Sequence, residues 1–116
     1  SASLGITPAK LGLVYPPGDM ARLVRLVGPG TTKRLLYTGR IFSAAEALAM
    51  GLVDEVVDGA SILPAARALA LEIAAQSQWS VRATKQMLRE FEAGHDPGSD
   101  EAEGLFLEGF ANPDFR

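Results

Sequence analysis

Between Ile6 and Gly18 the chain cannot form one continuous helix or a central strand. Pro8, Pro16 and Pro17 each lack a backbone N–H, and Gly12 and Gly18 add flexible points. A short apolar approach through Leu4 and Ile6 leads into this stretch, and an amphipathic pattern leaves it at Met20. The spacing predicts a strand over 3–6, an irregular loop, and a helix opened by Gly18 or Asp19. A loop held between rigid elements is a common place for function. The plainer alternative is an ordinary connection.

The rest of the chain reads as helices. Met20, Leu23, Val24 and Val27 recur at helical spacing, and Gly28-Pro29-Gly30 stops them. Thr31 or Thr32 is expected to cap a second helix that ends at Gly39. Ser43 and Glu46 form a capping box that starts a short helix closing at Gly51. Val53, Val56 and Val57 suit a brief strand. After a turn at Asp58-Gly59-Ala60 comes a longer helix, with Pro64 in its first turn and an apolar stripe of Leu63, Ala66, Leu69, Ala70 and Ile73. Residues 79–92 read as another helix, with Val81, Thr84, Met87, Leu88 and Phe91 inward. Ser99 or Asp100 caps the last, which carries Leu105, Phe106 and Phe110 and stops at Asn112-Pro113.

Composition narrows the classes. The chain has 116 residues, a formal net charge of −3 and no cysteine. Nucleic acid is not an expected partner, since no basic stripe is present to neutralise phosphates. Neither a disulfide framework nor a thiolate site is possible. The apolar runs fall short of the ~20 residues that span a bilayer, so no membrane is expected. No metal site and no resident cofactor are expected, and the cytoplasm is the expected location.

Four segments in order carry a family resemblance. They are Thr7-Pro8-Ala9-Lys10-Leu11-Gly12-Leu13, Arg22-Leu23-Val24-Arg25-Leu26-Val27-Gly28, Leu36-Tyr37-Thr38-Gly39-Arg40-Ile41-Phe42-Ser43-Ala44-Ala45-Glu46-Ala47, and Gly51-Leu52-Val53-Asp54-Glu55-Val56-Val57. Together they resemble the crotonase (enoyl-CoA hydratase/isomerase) superfamily over nearly the whole chain, as the C-terminal half of a family member about twice as long. The resemblance implies an α-rich α/β chain: the C-terminal portion of a ββα spiral with its helical region. Residues 1–58 would end the core, and residues 59–116 would form the C-terminal helical region used for oligomerisation. It further implies an acyl-CoA substrate, with coenzyme A as part of the substrate rather than a cofactor. A missing N-terminal half and a homotrimer or hexamer are implied as partners.

In the better-known family chemistry, water adds across a double bond beside a thioester. Two glutamates handle water and proton, and two backbone N–H groups hold the enolate oxygen. The resemblance puts the first glutamate and both N–H donors upstream of these residues. The second glutamate would fall at Pro8, or at Ala9 if the prolines are matched instead. Neither residue is an acid or a base. Pro16, Pro17 and Asp19 also replace glycines of the family loop.

The Thr-Pro-Ala-x-Leu-Gly form resembles methylmalonyl-CoA decarboxylase, where residues at the Thr7 and Tyr15 positions line the acyl pocket. A decarboxylase needs hydroxyl donors, and an ionised glutamate would repel the departing carboxylate. The resemblance thus implies Tyr15 as the catalytic residue, with Thr7, Pro8 and Tyr15 binding substrate. An interior aromatic is the alternative role for Tyr15.

Other candidates have plainer readings. His95, the sole histidine, falls in a loop without a partner at catalytic spacing. Arg22 with Arg25, and Lys85 with Arg89, read as solvated helix faces. Trp79 reads as a core anchor, and Asp19 as a helix cap. The expected function is therefore an enoyl-CoA hydratase/isomerase-family lyase acting through a stabilised enolate, with the isolated chain inactive. The decarboxylase-like enzyme is the alternative within that class. A non-catalytic interaction fragment is the alternative outside it.

Overall fold

The computed structural model describes residues 2–115. They form two compact units, one running to Ile62 and one beginning at Leu63.

In the first unit, strand β1 (Ser3–Gly5) pairs antiparallel with β2 (Ile41–Ser43), Leu4 opposite Phe42. The brief strand expected at Val53, Val56 and Val57 is absent. Val56 and Val57 are partly exposed. β-branched residues favour extended backbone, but a strand also needs a neighbouring ladder, and the segment pairs with none among the described residues.

Helix α1 (Pro17–Thr38) begins a turn earlier than Asp19 suggested. Pro16 is the N-cap, and Asp19 lies in the first turn, 3.6 Å from the Arg22 guanidinium. Proline suits a helix start because an N–H there has no intrahelical partner. The glycine–proline cluster interrupts the helix, and two helical stretches meet there across a kink. Gly28 alone leaves helical geometry, at φ 81° and ψ 168°, a region open in practice only to glycine. Thr32 caps nothing. Its hydroxyl donates 2.7 Å back to the Gly28 carbonyl, four residues earlier.

The buried centre of this unit is Leu23, Leu35 and Phe42, with Ile6, Val27, Leu36, Met50 and Leu52 packed around it. The guanidinium groups of Arg40 and Arg34 stand 4.5 and 5.5 Å from the centre of the Phe42 ring, so two cations help cover that aromatic. Helix α2 (Ala44–Ala49) follows β2 directly. Its capping box is formed: Glu46 N–H donates to Ser43 Oγ at 3.1 Å, and Ser43 N–H donates to the Glu46 carboxylate at 2.9 Å. Gly51 turns left-handed after it, at φ 77°.

Gly39 joins α1 to β2. It is buried, sits at φ 59°, and a Cβ there would come 3.0 Å from Cγ of Lys10. Gly39→Ala should lower stability by about 1–2 kcal/mol through left-handed strain alone, measured by denaturant titration. Wild-type stability for that variant would show that the turn relaxes.

In the second unit, α3 (Ile62–Ala74) follows a short 3-10 turn, Gly59–Ser61. Its expected inward stripe is not covered: no α3 residue is buried, and Leu63 is 81% exposed. Helices α4 (Gln78–Glu92) and α5 (Asp100–Ala111) pack through small buried residues, Ala83 and Ala102. Val81, Met87 and Phe91 are half-buried as the spacing implied, but Thr84 and Leu88 are exposed. Ser77 caps α4 and Ser99 caps α5, each accepting a backbone N–H at 3.2 Å.

Candidate functional site

The stretch from Ile6 to Pro16 is built from one tight turn and one extended run. After β1, Thr7 takes φ −109° and ψ 10°, and residues Pro8–Leu11 make a 3-10 turn. Proline at the first position fits, since its fixed φ is preset for a turn and its missing N–H is not called on. The turn closes on itself: the Lys10 N–H donates to the Thr7 carbonyl and the Leu13 N–H to the Pro8 carbonyl, both at 3.0 Å. Gly12 reverses the chain in a left-handed conformation, φ 69°. Residues 13–16 then run without regular structure into α1.

Thr7, Pro8 and Tyr15 are all half-buried, while Leu11, Leu13 and Val14 are 73%, 63% and 83% exposed. The three expected site residues therefore belong to one loop whose neighbouring apolar side chains are uncovered. Thr7 makes no side-chain cap bond to the turn. No hydrogen bond joins Thr7 to Tyr15 among the described residues, and both hydroxyls remain available to an outside acceptor. A proline at position 8 offers neither acid nor base, and Ala9 beside it is exposed. What the loop can do chemically is donate hydrogen bonds from two hydroxyls; it supplies no carboxylate. The stem of Lys10 lies against Gly39, at the end of α1.

His95 is exposed in the loop after α4, and its backbone N–H donates 2.9 Å to the Glu90 carbonyl. Arg22 is 81% exposed, in keeping with a solvated helix face. No group of three or more His, Cys, Asp or Glu that could hold a metal occurs among the described residues. No described helix is long and apolar enough to cross a membrane.

One feature was not legible in the sequence. Trp79 is not a sealed core anchor. It is half-buried and, with Phe106, Phe110 and Phe115, lines a cavity of about 380 Å³ in the second unit. Phe110 meets both other phenylalanine rings edge to face, with centroids 5.4 and 5.5 Å apart. Ser77 donates to the Asp114 carboxylate at the rim. The signal was the Phe106–Phe110 i, i+4 spacing, but the return of Phe115 depends on the turn at Asn112, which the helical pattern does not encode.

The sequence profile of the enoyl-CoA hydratase/isomerase family matches residues 1–114. The chain belongs to that family. A crotonyl-CoA hydratase of Syntrophomonas wolfei is 39% identical over 90 residues, covering 78% of this chain and 35% of the relative. An enoyl-CoA hydratase/isomerase family protein from Hyphomonas neptunium superposes with a TM-score of 0.86 at 58% identity, over 98% of this chain and 44% of that one. A protein from Thermobifida fusca YX described as an enoyl-CoA hydratase, solved in complex with CoA, gives a TM-score of 0.76 at 32% identity, over 95% and 43%. The enoyl-CoA hydratase/isomerase chain described here thus spans less than half the length of the relatives it matches. Its mostly helical fold is that of part of a crotonase-type structure.

Proposed function

We propose that the protein carrying this chain acts on an acyl-CoA thioester through a stabilised enolate, as a crotonase-family lyase. Family membership and the CoA held by the Thermobifida fusca relative support this reading. The upstream part of such a protein supplies the enolate-holding N–H pair and the first glutamate. The loop from Thr7 to Tyr15 supplies hydroxyl donors to the acyl group. The single observation that carries the chemistry is Pro8: a proline, closed into a 3-10 turn, stands where hydration needs a carboxylate. Hydration by a glutamate pair is therefore disfavoured, and Tyr15 is the polar group that acts on the reacting end.

That observation favours one variant. A malonyl-type thioester loses CO₂ by breaking its Cα–carboxylate bond, and the electron pair passes to the thioester as an enolate. A proton then quenches the α-carbon. A neutral hydroxyl can orient the leaving carboxylate without repelling it, whereas a glutamate there would oppose binding. The working protein is a homotrimer or hexamer in the cytoplasm, needing no metal and no cofactor beyond the CoA of its substrate. The uncovered apolar faces of α3 and α5 support association. They are also what a non-catalytic interaction piece would show.

The intact mass of the native protein separates these classes. A gene product about twice this length supports the enzyme. One that begins at Ser1 removes the oxyanion half and with it the enzymatic reading.

A further inference from the structure

We propose that Lys10 is a positioning residue for the acyl loop: its methylene stem, laid across Gly39, clamps the turn that bears Thr7 and Pro8 to the core, and its charge plays no part. This deepens the function proposed above and rests on it.

Three apolar side chains of the loop do not fasten it, since Leu11, Leu13 and Val14 stand in solvent. Residues 13–16 have no regular structure either. The fixed end of the clamp is Gly39. It is buried, and its N–H donates 3.2 Å to the carbonyl of Leu35, which is itself fully buried in the centre of the first unit. A Cβ on Gly39 would stand 3.0 Å from Cγ, 3.6 Å from Cδ and 3.4 Å from Cε of Lys10. The stem therefore runs over the glycine, through space that a side chain at position 39 would contest. Lys10 is exposed overall, and its ammonium makes no salt bridge among the described residues. A long cationic side chain of this kind packs its methylenes and leaves its head in water.

The hold of the stem passes to the site through the backbone. The Lys10 N–H donates 3.0 Å to the carbonyl of Thr7, and the Leu13 N–H donates 3.0 Å to that of Pro8. Fixing Lys10 thus fixes the residue that carries the Thr7 hydroxyl at the entry of the loop. Through the same turn it fixes the start of the run that leads to Tyr15. Hydroxyl donors assist a reaction only when held in the productive geometry, and a displacement of about 1 Å can cost roughly 10²-fold in rate.

The test compares two variants of the full-length protein. Lys10→Met keeps a stem of the same length without the charge, and Lys10→Ala removes both. Amide hydrogen exchange reads the turn, while kcat and KM on methylmalonyl-CoA and crotonyl-CoA read the site. Lys10→Ala should speed exchange at residues 10 and 13 by roughly tenfold. It should lower kcat by about tenfold or more with KM little changed. Lys10→Met should stay within about twofold of wild type in both readouts. Unfolding curves check that both variants stay folded. Wild-type exchange in Lys10→Ala overturns the clamp, and so does a Lys10→Met that behaves like Lys10→Ala, because the charge would then be what matters. Faster exchange with kcat unmoved overturns the positioning role. A wild type that turns over neither thioester contradicts the proposed function instead, and the exchange rates alone then decide the clamp.

Discussion

Purified residues 1–116 are expected to turn over crotonyl-CoA at no measurable rate. An enolate forms fast only where N–H donors already point at the developing oxyanion. In the loop that bears Thr7 and Pro8, the N–H groups of Lys10, Gly12 and Leu13 donate back into the turn. Pro8 has none to give. The family resemblance implies that the donor pair and the first glutamate lie outside these residues. Two missing donors and a missing acid–base group remove on the order of 10⁶-fold or more, taking the lower end of each contribution. An assay that follows loss of the conjugated thioester's absorbance would detect far less than that. Steady turnover by this chain alone would sink the proposal that the site is completed from outside it.

Tyr15→Phe in the full-length protein should cut kcat/KM on methylmalonyl-CoA by roughly 5- to 150-fold, the equivalent of about 1–3 kcal/mol for leaving a polar partner unpaired. The ring is half-buried and is kept by the substitution, so the fold should persist. Only the hydroxyl goes, and that hydroxyl has no partner within the described loop to compensate. Pro8→Glu probes the other half of the argument. The position is the first of a 3-10 turn, where glutamate is tolerated without the proline ring. It should raise hydration of crotonyl-CoA and lower turnover of the anionic malonyl-type thioester. If Tyr15→Phe leaves both substrates unaffected, the acting group lies elsewhere.

Short-range chemistry was readable from the residues alone. The Ser43–Glu46 box, the Ser99 cap of α5, the helix stop at Gly39 and the left-handed Gly51 are each settled within a few positions, and the structure has them all. What failed depended on partners distant in sequence. The second strand is Ile41–Ser43 rather than the valines at 53–57, because a strand forms where the chain brings a ladder alongside. Residue pattern marks Leu63 to Ile73 as inward, yet the pattern cannot say that the cover is absent from this part of the molecule. The stop at Gly28 was visible, but not that the second stretch would resume before Thr31, leaving neither threonine as its cap. At the candidate site, the residues marked an irregular loop around Pro8, and the structure has it as a 3-10 turn and an extended run. The residues did not reveal that the turn would consume its own N–H groups, a matter of backbone geometry.

The decisive measurement is kcat/KM of the full-length wild-type protein on crotonyl-CoA and methylmalonyl-CoA under identical conditions. With proline at position 8, hydration should be slower by about 10²–10⁴-fold than a glutamate pair allows, and the malonyl-type thioester should be the better substrate. Fast hydration of crotonyl-CoA, with methylmalonyl-CoA untouched, would contradict the account.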